Sequence, residues 1–203
     1  MSRFSPLLVA LFLVAGAGAV QAQSRFSVEL RGGAAWPTAD VGDATLETGG
    51  GFGFNAGFRL QPHLGVYAGW DWHRFVTDEP FSGGNYDIED TGYVFGLQFR
   101  HPITSRVGGW LRGGGIYNHI ELEDDAGSII ADSGHELGWE AGGGMLFPIG
   151  ERFVLTPGVR YRTFSATLDA GDGDVPVDLS YIAAEIGLTY SFGGRTLSAA
   201  RSR

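Results

Sequence analysis

Residues 182–192 read IAAEIGLTYSF, and every second side chain in this stretch is apolar. The apolar positions are Ile182, Ala184, Ile186, Leu188, Tyr190 and Phe192. Glu185, Thr189 and Ser191 lie between them, which gives the stretch a period of two. Such alternation indicates a β-strand with one apolar and one polar face. The stretch is also as long as the roughly 9–11 residues that a tilted strand needs to cross a membrane.

Seven earlier stretches, beginning at Phe26, repeat this alternation. Their apolar faces would carry Phe26, Val28, Leu30 and Ala34 to Trp36; Phe52, Phe54, Ala56, Phe58 and Leu60; Leu64, Val66, Ala68, Trp70 and Trp72; Tyr93, Phe95, Leu97 and Phe99; Leu111, Gly113, Gly115 and Tyr117; Leu137, Trp139, Ala141, Met145 and Phe147; and Phe153, Leu155, Val159 and Tyr161. The glycine run of the fifth stretch leaves its register open and is compatible with a β-bulge. Eight strands is an even number, as single-chain outer-membrane barrels require. We therefore predict an all-β fold, an eight-stranded antiparallel up-and-down transmembrane β-barrel.

The connections between these strands alternate between short and long. The short ones are residues 61–63, 101–105 and 148–151, and the long ones are residues 37–50, 74–89, 121–136 and 169–178. The long connections are acidic, and Arg74 is almost their only basic residue. Short turns at one end and long loops at the other are typical of outer-membrane barrels. This asymmetry predicts that both chain ends lie on the periplasmic side.

The N-terminal segment has the features of a secretory signal peptide. Arg3 precedes an apolar run from Leu7 to Val14, and residues 20–22 form a small-x-small cleavage site. We expect cleavage after Ala22. The predicted organisation is a signal peptide at 1–22, a transmembrane barrel at 23–192 and a short periplasmic tail at 193–203. Export together with amphipathic strands indicates the outer membrane of a Gram-negative bacterium.

The composition narrows the function classes. The chain has 34 glycines, no cysteine and a net charge of −9. Its mean hydropathy is zero, which argues against a helical membrane protein but fits a barrel that alternates apolar and polar residues. Without cysteine the fold cannot depend on disulfides. The negative charge argues against nucleic acid as a partner.

The face opposite the apolar one is charged. It carries Glu29, Arg31, Arg59, Asp71, Arg100, Arg112, Glu140, Arg160, Arg162 and Glu185. One arginine facing lipid at mid-membrane costs about 2–4 kcal/mol, so we predict that this face lines the lumen. An eight-stranded barrel is just wide enough for side chains to fill it. Inward glycines such as Gly53, Gly57, Gly69, Gly96 and Gly142 would leave room for long side chains, and we predict a polar plug.

Aromatic residues of the apolar face fall into two bands. The band nearer the long loops would contain Trp36, Phe52, Trp72, Tyr93, Tyr117, Trp139 and Tyr161. The band nearer the short turns would contain Phe26, Phe58, Phe99, Phe147, Phe153 and Phe192. Aromatic rings favour the membrane–water boundary, so the two bands predict a pair of girdles.

The closing segment, residues 186–192 (IGLTYSF), together with the signal peptide and the eight strands, resembles the small outer-membrane barrels related to OmpA, OmpX and the opacity proteins. In those barrels the last strand is a terminal assembly signal that ends in Phe. The resemblance therefore implies that the barrel-assembly machinery recognises this strand. The chain departs from the family pattern in one respect: the family usually ends on that aromatic residue, whereas here residues 193–203 follow Phe192. This tail is too short for a peptidoglycan-binding domain.

Two groups of residues have side chains suited to catalysis or metal binding. Asp71 and His73 share a strand face, and such a pair could serve a lipid A deacylase or acyltransferase, but the short motifs of those enzymes are absent. Acidic loop residues, including Asp169, Asp172 and Asp174, could bind Ca²⁺ or Mg²⁺ or contact divalent-bridged lipopolysaccharide, although their spacing is not that of an EF-hand. Ile129 and Ile130 in the third loop could contact a partner or pack on neighbouring loops. We predict no catalytic residues, no cofactor and no metal site.

The predicted function is a non-enzymatic surface, envelope-structural or adhesion-type protein that presents four long acidic extracellular loops. Its expected partners are outer-membrane lipid, lipopolysaccharide and a ligand at the loops, and the barrel is expected to be a monomer. A narrow porin for small solutes is the first alternative, and a lipid A-modifying enzyme is the second. A secreted lipocalin-like carrier would need an apolar interior, which the predicted lumen arginines contradict.

Overall fold

The computed structural model describes residues 25–39, 45–77, 86–124, 126, 128–169 and 174–192. The predicted signal peptide, the tail at 193–203 and parts of the four predicted loops lie outside these residues. All regular elements in the described ranges are β-strands. None of the described residues belongs to a helix long and apolar enough to cross a membrane.

The described residues form nine strands. They are β1 (Phe26–Pro37), β2 (Gly49–Arg59), β3 (Leu64–Val76), β4 (Tyr86–Pro102), β5 (Gly108–Asp124), β6 (Ile129–Asp132), β7 (Glu136–Ile149), β8 (Phe153–Asp169) and β9 (Asp174–Ser191). We call the end with the connections β1–β2, β3–β4, β5–β7 and β8–β9 the loop end, and the opposite end the turn end.

Eight of these strands close into an antiparallel barrel in the order β1-β2-β3-β4-β5-β7-β8-β9. The first and last strands complete the ring, with pairs running from Ser27↔Ser191 to Pro37↔Tyr181. Closure gives every strand two neighbours, so no backbone edge is left to face the hydrocarbon. The predicted fold class is confirmed.

The ninth strand, β6, is short and lies at the loop end. It pairs with the last part of β5, for example Glu121↔Asp132, and reaches β8 through Asp132↔Asp169. It is placed there because β7 begins only at Glu136, opposite Asn118, whereas β5 continues to Asp124. β6 thus occupies the gap between β5 and β8 at the loop end, beyond the start of β7.

The strands extend further toward the loop end than the sequence analysis predicted. β9 has 18 residues and β4, β5 and β8 have 17 each, against the roughly 9–11 that cross a membrane. Much of the predicted loops at 74–89, 121–136 and 169–178 is therefore strand, and the loop assignment was wrong there. The reason is that alternation continues, with its polarity reversed.

In this extension the apolar side chains face inward and the polar ones outward. The inward apolar residues include Phe75, Ile88, Ile120, Leu122, Phe164, Ala166, Leu168, Val177 and Leu179, all buried. The outward residues include Arg74, Glu121, Glu123, Ser165, Thr167 and Asp178. Apolar residues inside and polar residues outside are the pattern of a soluble β-protein. Here the pattern occurs at the loop end of the same strands that carry the charged interior.

Two local predictions also needed correction. Ala35 is fully buried on the inner face and not on the apolar outer face. The glycine run of β5 has no bulge, because its pairing with β4 continues in one register from Tyr86↔Asp124 to Pro102↔Gly108. A Cβ at Gly114 would clash with the Phe95 carbonyl oxygen, so glycine permits close strand approach there. The only shift on β5 among the described pairs is against β6.

Candidate functional site

The middle of the barrel interior holds most of the predicted lumen charges. Eight of the ten are buried inside the barrel: Glu29, Arg31, Asp71, Arg112, Glu140, Arg160, Arg162 and Glu185. Arg100 is half-buried on the same face of β4, nearer the turn end. Arg59 is in phase with the inward Asn55 of β2, but it ends the strand at the turn end and is exposed there. A position so near the strand end gives its side chain access to water.

Arg160 on β8 is the centre of the ionic layer and is only 1% exposed. Its guanidinium donates to both carboxylate oxygens of Glu185, at 2.5 and 2.6 Å. It also donates to Glu140 at 3.0 Å and to Asp71 at 3.1 Å. Because the planar fork of arginine presents donors in several directions, one side chain joins acids from three other strands.

Asp71 on β3 is fully buried and contacts three arginines. Arg31 donates a hydrogen bond to one of its oxygens, and Arg162 approaches the other at 3.1 Å, as does Arg160. Gly53 opposes Asp71 on β2, and a Cβ there would clash with the carboxylate. The inward glycine thus leaves the space that this ionic contact occupies.

A second part of the layer surrounds Glu29 on β1. Arg112 and Thr156 each donate to its carboxylate at 2.7 Å, and Asn55 donates at 3.2 Å. The guanidinium of Arg112 also lies 4.6 Å from the centre of the Trp110 ring. These contacts satisfy a carboxylate far from water, as buried charges require.

Sequence analysis missed Asp90 and Tyr181. The Tyr181 hydroxyl donates to Asp90 at 2.6 Å and lies 3.1 Å from Nδ1 of His73, while Asn118 donates to Asp90 at 2.5 Å. Both missed residues lie on the inner face of their strands. Steps of two residues along the inner face lead from Val94 to Asp90 and from Glu185 to Tyr181, so the alternation contained the signal for both.

The charges of the ionic layer balance. Its five arginines are Arg31, Arg100, Arg112, Arg160 and Arg162, and its five acids are Glu29, Asp71, Asp90, Glu140 and Glu185. A buried layer without net charge avoids the large cost of an uncompensated ion. It also gives a passing anion or cation no net attraction.

Apolar side chains border the ionic layer at both ends. Toward the turn end lie Trp110, Leu146 and Val154. Toward the loop end lies the larger cluster that includes Phe75, Ile120 and Leu179. Apart from half-buried Arg100, the charged groups of the layer therefore lie between two apolar clusters.

One small cavity lies beside the ionic layer. Its volume is about 10 Å³, and its lining includes Glu29, Arg31, Trp110, Arg112 and Arg160. A space of this size holds about one water molecule.

Asp71 and His73 do not form an acid–imidazole pair. The oxygens of Asp71 are engaged by arginines, whereas Nδ1 of His73 contacts Arg162 at 3.3 Å and Nε2 lies 3.8 Å from Glu185. Both side chains are buried, at 0% and 1% exposure. A lipid substrate on the outer face would have no direct contact with either group.

The predicted girdle residues point outward from the barrel. Rings on neighbouring strands meet within each band, as in Trp139–Tyr161 at 5.4 Å on the loop-end side and Phe26–Phe58 at 4.9 Å on the turn-end side. Most are exposed, among them Trp36, Tyr93, Trp139, Phe99, Phe147, Phe153 and Phe192. Trp72 and Tyr161 are half-exposed. The outer surface between the bands is apolar, with Leu30 at 69% exposure.

Beyond the loop-end band the outer surface is acidic. Carboxylates of Glu89, Glu121 and Glu123 lie within 4.8 Å of one another, and Arg74 pairs with Asp87 nearby. Desolvation, followed by the charge of Glu89, raises the pKa of the Glu123 carboxyl. The surface above the membrane therefore carries clustered negative charge.

Comparison with known proteins agrees with this architecture. The family model described as "Outer membrane protein beta-barrel domain" matches residues 7–192. No curated protein sequence matches the chain.

Several solved structures have a similar fold. Neisserial surface protein A is 16% identical, with 82% of this chain and 97% of that chain covered and a TM-score of 0.59. A major outer membrane protein from Thermus thermophilus is 17% identical, with 83% and 98% covered and a TM-score of 0.49. Ail, the attachment invasion locus protein of Yersinia pestis, is 14% identical, with 82% and 97% covered and a TM-score of 0.44; its structure contains the heparin analogue sucrose octasulfate.

Proposed function

The chain belongs to the outer membrane β-barrel protein family, and from this premise we propose that it is a non-conducting, non-enzymatic barrel that presents its loop end outside the bacterial cell. The observation that carries the proposal is the layered interior. A neutral ionic layer centred on Arg160 lies between two apolar clusters, and the cavity beside it has room for about one water. Such a plug leaves no continuous aqueous path.

Presentation of the loop end is the second part of the proposal. The strands extend beyond the loop-end girdle as a water-exposed wall with an apolar filling, which holds the acidic outer surface away from the lipid. A surface of this charge favours basic partners or divalent-bridged lipopolysaccharide. The proposed roles are therefore adhesion or envelope structure, with lipid and lipopolysaccharide as neighbours and the last strand as the assembly signal.

Conductance in planar bilayers tests the plug. We expect no current steps from the refolded wild-type barrel, under conditions in which a known porin in the same detergent conducts. The double variant Arg160→Ala with Glu185→Ala removes the centre of the ionic layer and should produce small steps. Heat-dependent gel mobility of each sample verifies that a closed barrel was added. Steady wild-type conductance would establish the narrow porin instead.

The absence of catalysis needs its own experiment. Asp71 and His73 are engaged inside the barrel, so the pair that suggested the lipid A-modifying alternative does not reach a lipid substrate on the outer face. Mass spectrometry of lipid A from cells with and without the protein should give identical spectra. A change in acyl chains that is lost in His73→Gln would refute the non-enzymatic role.

A further inference from the structure

A group of imidazoles and carboxylates lies on the outer face at the loop end, where β5, β6 and the segment before β7 meet. His119 and Glu121 are neighbours on the outer face of β5, and Asp132 on β6 pairs directly with Glu121. His135 follows β6 and is exposed. The group is distinct from the ionic layer, which lies inside the barrel.

The spacing of these atoms fits one metal ion. Nδ1 of His119 and Nε2 of His135 lie 3.3 Å apart. Two imidazole nitrogens bound to one tetrahedral zinc at about 2.0–2.1 Å are separated by about 3.3–3.4 Å. A separate set of ligand atoms, from His119, Glu121 and Asp132, lies within 4.8 Å of one another and does not include His135.

The tautomer of His119 can be inferred from its second contact. Its Nε2 lies 3.0 Å from a carboxylate oxygen of Glu121. A carboxylate accepts the ring N–H, so Nδ1 is left unprotonated and faces His135. A carboxylate that orients a metal-binding histidine in this way is a common feature of metal sites.

The backbone around the group is held in place. Ser133 and Ile120 exchange two hydrogen bonds, from Ser133 N to the Ile120 carbonyl at 3.0 Å and from Ile120 N to Ser133 Oγ at 2.9 Å. The Gly134 N–H donates to Asp132 at 2.6 Å, and Gly134 has a φ of 64°, in the left-handed region that favours glycine. His135 also packs on Tyr117, with ring centres 5.0 Å apart.

We propose that His119 Nδ1 and His135 Nε2 bind one divalent transition-metal ion such as Zn²⁺, that the exposed Asp132 carboxylate turns toward the ion as a third ligand, and that Glu121 orients His119. Imidazole nitrogens favour zinc, copper and nickel, whereas Ca²⁺ and Mg²⁺ favour sites made of oxygen ligands. The bound ion would join β6 and the start of β7 to β5. The connection between β5 and β7 would then be fixed at the edge of the membrane.

Isothermal titration of the refolded barrel with ZnCl₂ in detergent tests the proposal. The protein must be prepared without a polyhistidine tag. We expect one equivalent of Zn²⁺ to bind, and His119→Asn with His135→Asn to weaken binding by about tenfold or more, since both proposed imidazole ligands are lost. Asp132→Asn should weaken it less. Mg²⁺ at the same concentration should give no comparable heat.

The chain offers a matched control at the turn end. His63 and His101 also form a ring pair, 5.0 Å apart, but among the described residues no carboxylates complete a three-ligand group with them. His63→Asn with His101→Asn should leave Zn²⁺ binding unchanged. The proposal would be overturned if the wild-type barrel does not bind Zn²⁺. It would also be overturned if the variant without His119 and His135 keeps its Zn²⁺ affinity, or if Mg²⁺ binds as well as Zn²⁺. Heat-dependent gel mobility verifies that each variant is folded.

Discussion

The two halves of this barrel share the same strands but have opposite polarity. In the membrane half, Arg160 and Asp71 are buried inside while Leu30 faces outward. In the loop-end half, Leu179 and Phe75 are buried inside while Thr167 and other polar residues face outward. The strands continue across the boundary without a break, but the apolar and polar side chains exchange faces there.

The difference shows that the medium around the barrel, lipid or water, determines which side chains the barrel encloses. Lipid outside requires apolar outward residues, and the narrow interior can then hold charges only if they pair. Water outside permits polar outward residues, and the interior can form an ordinary hydrophobic core. β8 contains both arrangements, with Arg160 and Arg162 in one half and Phe164 and Leu168 in the other.

The largest effect should come from removing one member of the ionic layer. Asp71→Ala removes the carboxylate that Arg31, Arg160 and Arg162 share and leaves buried positive charge uncompensated. It should lower the free energy of unfolding by about 3–5 kcal/mol. Denaturant titration of the refolded barrel measures this loss. Asp87→Ala breaks the partly exposed pair with Arg74 in the other half and should cost less than about 1 kcal/mol. Equal losses would remove the distinction between the two halves.

Truncation of one leucine in each half compares the core with the lipid face on a single strand. Leu179→Ala creates a cavity in the loop-end core and should cost about 2–5 kcal/mol. Leu188→Ala on β9 faces lipid, whose chains can fill the space, so its loss of stability in vesicles should be smaller. A larger loss from Leu188→Ala would show that the loop-end interior is loosely packed.

An outward arginine should distinguish lipid from water as the solvent of each half. Leu30→Arg places a charge between the two aromatic bands and should destabilise the barrel in vesicles by about 2–4 kcal/mol. Thr167→Arg, outward in the loop-end half, should change stability by less than about 0.5 kcal/mol. If both variants unfold at the same denaturant concentration, the membrane does not end where the polarity reverses.

The smallest effect concerns the acidic outer surface. Desolvation and the charge of Glu89 raise the pKa of Glu123, so the folded state binds this proton more tightly than the unfolded state. By linkage, this carboxyl favours folding at low pH and opposes it as the pH rises through the raised pKa. Glu123→Gln should therefore stabilise the barrel slightly at pH 7, by under about 0.5 kcal/mol at this exposed site, and not in acid. Glu151→Gln at the turn end is the control, and equal stabilisation there would contradict the local cause.

The membrane half was predictable from the sequence because its chemistry is unusual. An apolar face that includes Leu30 and Trp139, opposite a face that carries several arginines, has few explanations besides a transmembrane barrel. The loop-end half was not predicted as strand because Phe75 and Ile88 lie among acids, and acidic segments are typical of loops. A change in the phase of the alternation was the available signal.

The partners within the ionic layer could not be derived from single strands. Arg160 contacts Glu140, Glu185 and Asp71 on three different strands. Their juxtaposition depends on barrel closure and strand stagger, which the alternation of one strand does not specify. Asp90 was missed for a simpler reason, since it lies one residue beyond the predicted loop boundary.

The seam between β1 and β9 has a kinetic consequence. Ser27 can pair with Ser191 only after every intervening strand has been made, because this ladder joins the two ends of the barrel sequence. Contacts of such sequence separation are slow to form. Until then Phe26–Pro37 and Asp174–Ser191 are unpaired edges, which are prone to aggregation. The chain is therefore exposed to aggregation for as long as these two strands remain unpaired.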